Sequence, residues 1–412
     1  MMLPDKIREL EVAINGRLSG QLLKHSVYEY RYGRPDPEQA TIALLMPPAE
    51  SPTWQDGDLF AALDQHLPEG DLFMRLRALF PKQPLTPMHL LALAGTNGIG
   101  RLGFSLPDAA VPVMGPTMDR QTLLSMPYSP EVFDELVRAY LSTGAGIAGM
   151  QPKIMVPDRP TVPIPSLIVK AASPAYPGLA ANEFLCLSAA RRAGIETPTF
   201  DLSHDGQMLV LDRFDLVTRP DGGVDRLGFE DVASLMGLRV RDVLSDRKYQ
   251  GSYERVAELL RYLMLPSESI HRFFEQVAFS VMVRNGDGHL KNFGVLYTST
   301  SDVRLAPMFD VVTTAVYRYA RYSGGPELED RTMALKLFGG KHRSKAYPTT
   351  EELVQFGRKV CGIGHPEKVL ARIAQGMADT LVAARCDERI SGWLLNELAP
   401  VWQEGCLYGG AS

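Results

Sequence analysis

Apolar and polar positions alternate through Leu10, Val12 and Ile14, stop at Asn15-Gly16, and resume in a second run that ends near residue 30. Period two around that dipeptide predicts a β-hairpin over residues 8–30, because Asn and Gly accept the positive φ angles of a tight hairpin turn. From Asp58 to Phe80 the period lengthens. Leu59, Phe60, Leu63, Leu67, Leu72, Met74, Leu76 and Leu79 fall at helical spacing around Pro68-Glu69-Gly70, which predicts two helices with a turn between them. Prolines at 107, 112, 116, 127 and 130 mark a connector, and a new block begins near residue 131. Residues 150–230 alternate strands and turns, with one helix predicted over Asn182–Ala193, Asn182 as its N-cap and Gly194 as its stop. Leu209, Val210 and Leu211 read as a buried strand that ends in Asp212-Arg213-Phe214. Beyond Ser252 the spacing is mostly helical, over Val256–Leu265, Ser269–Arg284, Glu351–Cys361, Glu367–Cys386 and Glu388–Trp402. The pattern predicts an α+β chain in three blocks: 1–125 mixed, 126–250 strand-rich and 251–412 helical.

Composition narrows the class. A chain of 412 residues, 45% hydrophobic and 22% charged, is ordinary globular material large enough for two or three units. No apolar run approaches the roughly 18 residues that span a bilayer. The opening Met1-Met2-Leu3-Pro4-Asp5-Lys6 lacks a basic region followed by an apolar core, so no secretory signal is read and no membrane is expected. Cys186, Cys361, Cys386 and Cys406 are scattered without metal-ligand spacing, which suits free thiols in a reducing cytoplasm. A net charge of −5 argues against binding nucleic acid through the overall field.

The chemistry concentrates in two segments. Arg284-Asn285-Gly286-Asp287-Gly288-His289-Leu290-Lys291-Asn292 sets a carboxylate five positions before an amide, and Leu305-Ala306-Pro307-Met308-Phe309-Asp310 brings a second carboxylate. Phosphoryl transfer from ATP uses one carboxylate to face the acceptor hydroxyl, and an Asn with an Asp to hold Mg²⁺ on the phosphates. Gly-Asp-Gly alone is also ordinary turn chemistry. Upstream, Gly144-Ala145-Gly146-Ile147-Ala148-Gly149 runs into Met150-Gln151-Pro152-Lys153 and then strand-like Ile154-Met155-Val156, and Ser166-Leu167-Ile168-Val169-Lys170 is an apolar strand ending in a lysine. A dinucleotide-binding turn would need a helix directly after the glycines. A phosphate loop between strands, with a lysine on the next strand, is the kinase order. The glycine-rich Gly95–Phe104 segment lacks the Gly-Lys-Ser/Thr ending of a P-loop and is set aside.

Taken together, Gly149-Met150-Gln151-Pro152-Lys153, Leu167–Lys170, Asn182–Leu187, Asp212–Asp215 and the Asp287 and Asp310 segments resemble the HipA-type serine/threonine kinases. These are toxin halves of bacterial toxin–antitoxin pairs. Ile14-Asn15-Gly16, Leu67–Gly70 and Gly95–Gly103 extend the resemblance over nearly the whole chain. It implies a bilobal protein-kinase-like fold, with a mixed α/β N-terminal subdomain, a strand-rich ATP-binding lobe and a mostly helical C-terminal lobe. It also implies ATP and Mg²⁺ as cofactors.

Each residue then takes an expected role. Backbone amides of Ala148, Gly149, Met150, Gln151, Pro152 and Lys153 belong to the loop that caps the phosphates, although proline itself has no N–H to offer. Lys170 holds phosphate as a point charge, its bland alternative being a lysine reaching from a strand end to solvent. Glu183 is the candidate brace for that lysine, against an exposed first-turn glutamate. Asp212, Arg213 and Phe214 form the hinge beside adenine. Asp287 receives or orients the acceptor hydroxyl; Lys291 neutralises the transferring group or is solvated. His289, placed with the ATP-binding residues, is read as a brace of its loop. Asn292 and Asp310 are the Mg²⁺ ligands.

Many relatives of this type carry a serine three positions before the Gly149 equivalent, whose phosphorylation silences the enzyme; this chain has Gly146 there, with Ser142 and Thr143 close by. The resemblance further implies an aminoacyl-tRNA synthetase serine as substrate and a helix-turn-helix antitoxin as partner, with DNA reached only through that antitoxin. Lys336–Lys345, with Lys341, His342, Arg343 and Lys345, is the conspicuous basic cluster and is read as a solvated loop, against contact with DNA in a repressor complex or with the tRNA-bearing substrate. Two alternatives stay open: a catalytically weak co-repressor subunit and a small-molecule kinase.

Overall fold

The computed structural model of the chain describes residues 4–33, 41–107, 117–141, 153–158, 164–171, 176–320, 327–340 and 344–410. In chain order the elements begin with strands β1 (Glu9–Ile14), β2 (Arg17–Lys24), β3 (Tyr28–Tyr32) and β4 (Thr53–Asp56). Helices α1 (Ala61–Asp64), α2 (Gly70–Leu79) and α3 (Pro87–Ala94) precede β5 (Leu102–Ser105), and α4 (Arg120–Ser125) and α5 (Pro130–Leu141) follow it. Next come β6 (Lys153–Val156), β7 (Leu167–Ala171), α6 (Leu179–Arg192), β8 (Phe200–Leu202), β9 (Met208–Asp212), β10 (Leu216–Thr218), β11 (Val224–Arg226), β12 (Gly228–Asp231) and α7 (Val232–Leu235). The remainder is α8 (Tyr253–Tyr262), α9 (Ser267–Met282), β13 (Gly294–Ser299), β14 (Asp302–Leu305), two short strands at 318–329, α10 (Thr350–Gln355), α11 (Pro366–Ala384) and α12 (Gly392–Cys406).

These elements form two compact units, each drawn from non-consecutive segments. The first comprises residues 1–171, 210–248 and 294–303. Its N-terminal part is a five-stranded antiparallel sheet of order β4-β3-β2-β1-β5. The expected hairpin is present: Ile14 pairs with Arg17 across Asn15 and Gly16, whose φ angles are 48° and 76°. Leu10, Val12, Leu22 and Tyr30 are buried on one face with Leu59, Leu63 and Leu91 from the helical segments, which explains the alternation read from the sequence. The break at Pro68–Gly70 separates α1 from α2, as the spacing implies. In the same unit Lys153 stands directly opposite Lys170 in the antiparallel β6–β7 pair, and β12 pairs with β13.

The second unit comprises residues 172–209, 249–293 and 304–412 and is mostly helical. Helix α11 packs on α6, α9 and α12. Trp402 of α12 is fully buried and donates its indole N–H to the Thr313 hydroxyl at 2.8 Å. The last helix starts at Gly392 behind an Ser391 N-cap and runs through Pro400 to Cys406, rather than spanning 388–402. Periodicity misses this, because the Ser391 hydroxyl accepts the Leu394 N–H and sets the start locally. Among the described residues, no helix is long and apolar enough to cross a membrane.

Helix α6 departs from the sequence expectation in a way that bears on the site. It begins one turn earlier, at Leu179, and its N-cap is Gly178 with φ of 67°. Asn182 is therefore inside the helix and fully buried, its amide taken by a distant backbone segment described below. Gly194, with φ of 72°, ends the helix as expected.

Candidate active site

In the second unit, α9 ends at Met282 and Arg284 adopts a left-handed φ of 56°, which turns the chain into the loop Asn285–Asn292. Such a conformation costs a non-glycine residue on the order of 1–3 kcal/mol and persists only where contacts over-determine it. Here they do. The Arg284 guanidinium donates to Glu404 at 2.8 Å and lies over the Tyr347 ring, while its carbonyl accepts from the Thr314 hydroxyl at 3.1 Å. Gly286 follows, and its N–H donates to that same hydroxyl at 2.7 Å. A Cβ there would sit 2.2 Å from an Asp330 carboxylate oxygen and 2.8 Å from the Thr332 carbonyl, so the loop needs a glycine at 286.

Asp287 comes next, its side chain 49% exposed. The Tyr249 hydroxyl donates to its Oδ1 at 2.7 Å, and the His289 Nε2 lies 3.9 Å from the same oxygen. The backbone closes on itself, with the His289 N–H on the Asp287 carbonyl at 2.7 Å and the Asn292 N–H on the His289 carbonyl at 2.9 Å. Tyr253 adds a fixed point by donating to the Gly288 carbonyl at 2.7 Å. His289 is buried and packs edge-on against Tyr249 at 5.2 Å between ring centroids. Lys291 is half-buried in the short turn Leu290–Asn292.

Asn292 donates its amide N–H to the Asp310 carbonyl at 3.2 Å. Its Oδ1 is buried and has no hydrogen-bond partner among the described residues. A buried amide oxygen in that state costs roughly 1–3 kcal/mol unless something accepts it. Asn292 lines a pocket together with Asn285, Gly288, Met308, Phe309 and Asp310. Asp310 has a left-handed φ of 51°, the second such residue in the site. Three residues on, the Thr313 N–H donates to the Asn182 Oδ1 at 2.9 Å, and the Asn182 amide donates back to the Thr313 carbonyl at 3.0 Å. That reciprocal pair, with the Trp402 bond to the Thr313 hydroxyl, pins the segment carrying Asp310.

The second unit thus brings Asp287, His289, Lys291, Asn292 and Asp310 into one loop cluster. Among the described residues, no three His, Cys, Asp or Glu side chains group to hold a metal by themselves. One amide oxygen with one carboxylate nevertheless fits Mg²⁺, which keeps several waters and takes one or two carboxylates beside substrate phosphate. The orphaned Oδ1 of Asn292 is the donor such an ion would use.

In the first unit, Lys153 and Lys170 are 8% and 4% exposed, so neither reaches from a strand end into solvent. Cross-strand partners share a face of the sheet, which concentrates positive charge where an anion could be held. The Arg213 side chain is a clamp. It pairs with Asp215 at 2.6 Å, both fully buried, and donates to the carbonyls of Asn97, Gly98 and Pro165. Asp212 pairs with Arg120 and Phe214 packs on Phe229. Glu183, in the second unit, is 1% exposed and is not the solvent-facing first-turn glutamate of the bland reading. Ala148, Gly149, Met150, Gln151 and Pro152 lie outside the described residues, as do Ser142, Thr143 and Gly146.

Three participants carried no sequence signal. Tyr249, Thr314 and Asp330 meet the loop only through the fold, and no local motif marks them. The basic cluster also reads differently: Lys345 donates to the Tyr249 carbonyl at 2.8 Å and Lys336 to the Gly340 carbonyl at 3.1 Å, whereas Lys341, His342 and Arg343 lie outside the described residues.

Comparison with known proteins matches residues 10–105 to the HipA N-terminal domain and residues 145–385 to the HipA-like C-terminal domain. A candidate kinase of Sinorhizobium fredii, Y4mE, is 25% identical over 388 residues, 87% of this chain and 87% of that protein. A second from the same organism, Y4dM, is 30% identical over 167 residues, 37% of this chain and only 38% of that protein. Among solved structures, HipA in the Shewanella oneidensis MR-1 complex of toxin HipA, HipB and operator DNA superposes with a TM-score of 0.65 at 17% identity. That superposition covers 97% of this chain and 96% of the other, which establishes a shared fold.

Proposed function

Because the chain belongs to the HipA family, we propose that it is a serine/threonine protein kinase toxin, transferring the γ-phosphate of ATP to a protein hydroxyl. The observation that carries this reading is the buried, unpartnered Asn292 Oδ1 beside Asp310, five residues after the half-exposed Asp287 carboxylate. Bound Mg²⁺ supplies charge neutralisation on the phosphates. The chain's own residues do the rest. Asn292 and Asp310 hold the ion through oxygen, and Lys170 and Lys153 hold phosphate as buried cations. The loop Ala148–Pro152 caps it through the backbone N–H groups of its residues other than Pro152, and the backbone of Asp212–Phe214 faces adenine. Asp287 accepts a hydrogen bond from the acceptor hydroxyl and takes its proton as that oxygen bonds to the γ-phosphorus, while the bond from the γ-phosphorus to the β–γ bridging oxygen breaks and ADP leaves with that oxygen. His289 braces the loop, and Lys291 offsets negative charge on the group in transit.

The acceptor is proposed to be a serine of an aminoacyl-tRNA synthetase, so that its phosphorylation halts translation in the cytoplasm. The partner is proposed to be a DNA-binding helix-turn-helix antitoxin. The solved relative crystallised with HipB and operator DNA supports that partner class. Incubation of the purified chain with γ-labelled ATP, Mg²⁺ and a bacterial lysate is expected to label protein. Asp287→Asn should lower that labelling by about 10²–10⁴-fold with ATP binding and thermal stability unchanged. Labelling at the full rate by the Asp287→Asn chain would refute the role.

A further inference from the structure

We propose that Tyr249 is a positioning residue for phosphoryl transfer, its phenol holding the Asp287 carboxylate in the orientation that meets the acceptor hydroxyl; this rests on the kinase reading above. Tyr249 closes a 3₁₀ turn at Asp242–Tyr249, 38 residues before its partner, and its hydroxyl donates to Oδ1 of Asp287 at 2.7 Å. Rotation of that carboxylate about its last bond would misdirect the oxygen that must face the acceptor, and the phenol hydrogen bond opposes it.

The tyrosine is itself held on three sides. Lys345 donates to its backbone carbonyl at 2.8 Å, the His289 ring meets its ring edge-on, and Asp287 takes its hydroxyl. Burial first, and then the negative charge of Asp287, push the phenol well above its ordinary pKa, so it stays a protonated donor. Hydrogen bonds to a charged partner contribute about 1.5–3 kcal/mol, enough for one or two decades in rate when the oriented form is the reactive one.

The test compares Tyr249→Phe with the unsubstituted chain, reading the initial rate of labelling of lysate protein against MgATP concentration. Phe keeps the ring against His289 and removes only the donor. The expected result is a maximal rate lower by about 10-fold or more, with the half-saturating MgATP concentration unchanged and the melting temperature lowered by no more than a few degrees. A purely structural tyrosine would instead lower melting temperature and nucleotide affinity together, and that outcome overturns the proposal. 4-Aminophenylalanine at position 249 returns an N–H donor to the same place and should restore most of the rate. An unchanged rate for Tyr249→Phe, with Asp287→Asn inactive, overturns the positioning role and leaves the kinase reading intact. No labelling by the unsubstituted chain overturns both.

Discussion

At the scale of single residues, Glu230 shows how a buried carboxylate makes this fold sensitive to pH. It is 2% exposed in the first unit, accepts the Leu44 N–H at 2.7 Å and takes a hydrogen bond from Tyr297. Burial outweighs those donors and the Arg101 charge, and Asp231 adds to it, so the carboxyl is pushed up to about 7 from 4.5. The sign follows from proton counting. Between those two values the folded chain holds a proton that the unfolded chain has lost, so stability falls as pH rises through that window and levels above it. The penalty reaches on the order of 3 kcal/mol. Glu230→Gln keeps an acceptor for Leu44 and cannot ionise. Calorimetric melts should therefore show the variant equal to the parent near pH 5 and clearly more stable at pH 8. Parallel melting curves at every pH would show that Glu230 ionises in the fold as easily as in water.

At the scale of elements, the decisive contact is the reciprocal bond between Asn182 of α6 and the Thr313 backbone. Both residues are fully buried, so Asn182→Ala strands one N–H and one C=O of Thr313 by removing the amide that pairs with them. The expected cost is about 2–4 kcal/mol in unfolding free energy, read by urea titration. A Mg²⁺ requirement raised severalfold should accompany it, because the segment three residues after Asp310 loses its anchor. A variant as stable as the parent, with the same Mg²⁺ titration, would remove Asn182 from that role. The same residue marks the limit of sequence reading. Asn15-Gly16, Pro68–Gly70 and Gly194 were legible because a turn or a helix stop is decided within a few residues by φ preference and by missing or competing donors. Asn182 resembled an N-cap for equally local reasons, yet its partner lies 131 residues away, and no propensity encodes that distance. Asp287, Asn292 and Asp310 were singled out by the spacing that phosphoryl transfer demands. Tyr249, Thr314 and Asp330 were not, since only folding brings them to the loop.

At the scale of the whole molecule, the first unit is assembled from three separated stretches, and its integrity rests on ties between them. The strongest candidate tie is the pair Arg213–Asp215. Asp215 accepts the Gly100 N–H at 2.7 Å, and Arg213 reaches the carbonyls of Asn97 and Gly98, so one ion pair fixes the glycine-rich 97–100 segment 115 residues upstream. This gives the glycines that superficially suggest a nucleotide loop a structural reason to be there: the backbone itself is the ligand of the buried pair. Taking two charges out of water is costly, and mutual attraction repays it only when the remaining donors are satisfied, as the three backbone carbonyls do here. Asp215→Ala leaves a buried guanidinium without its counter-charge and frees the Gly100 N–H. It should therefore cost about 3–5 kcal/mol and loosen residues 97–100 in hydrogen exchange. Replacing both members by apolar residues, as in Arg213→Met with Asp215→Leu, removes the uncompensated charge and should recover most of that loss in stability. Protection at Asn97–Gly100 should still fall in the double variant, because apolar side chains cannot bind those carbonyls and amides. If the single and double variants were equally destabilised, the cost would belong to the stranded backbone rather than to the isolated charge, and the clamp would be a hydrogen-bond frame rather than an ion pair.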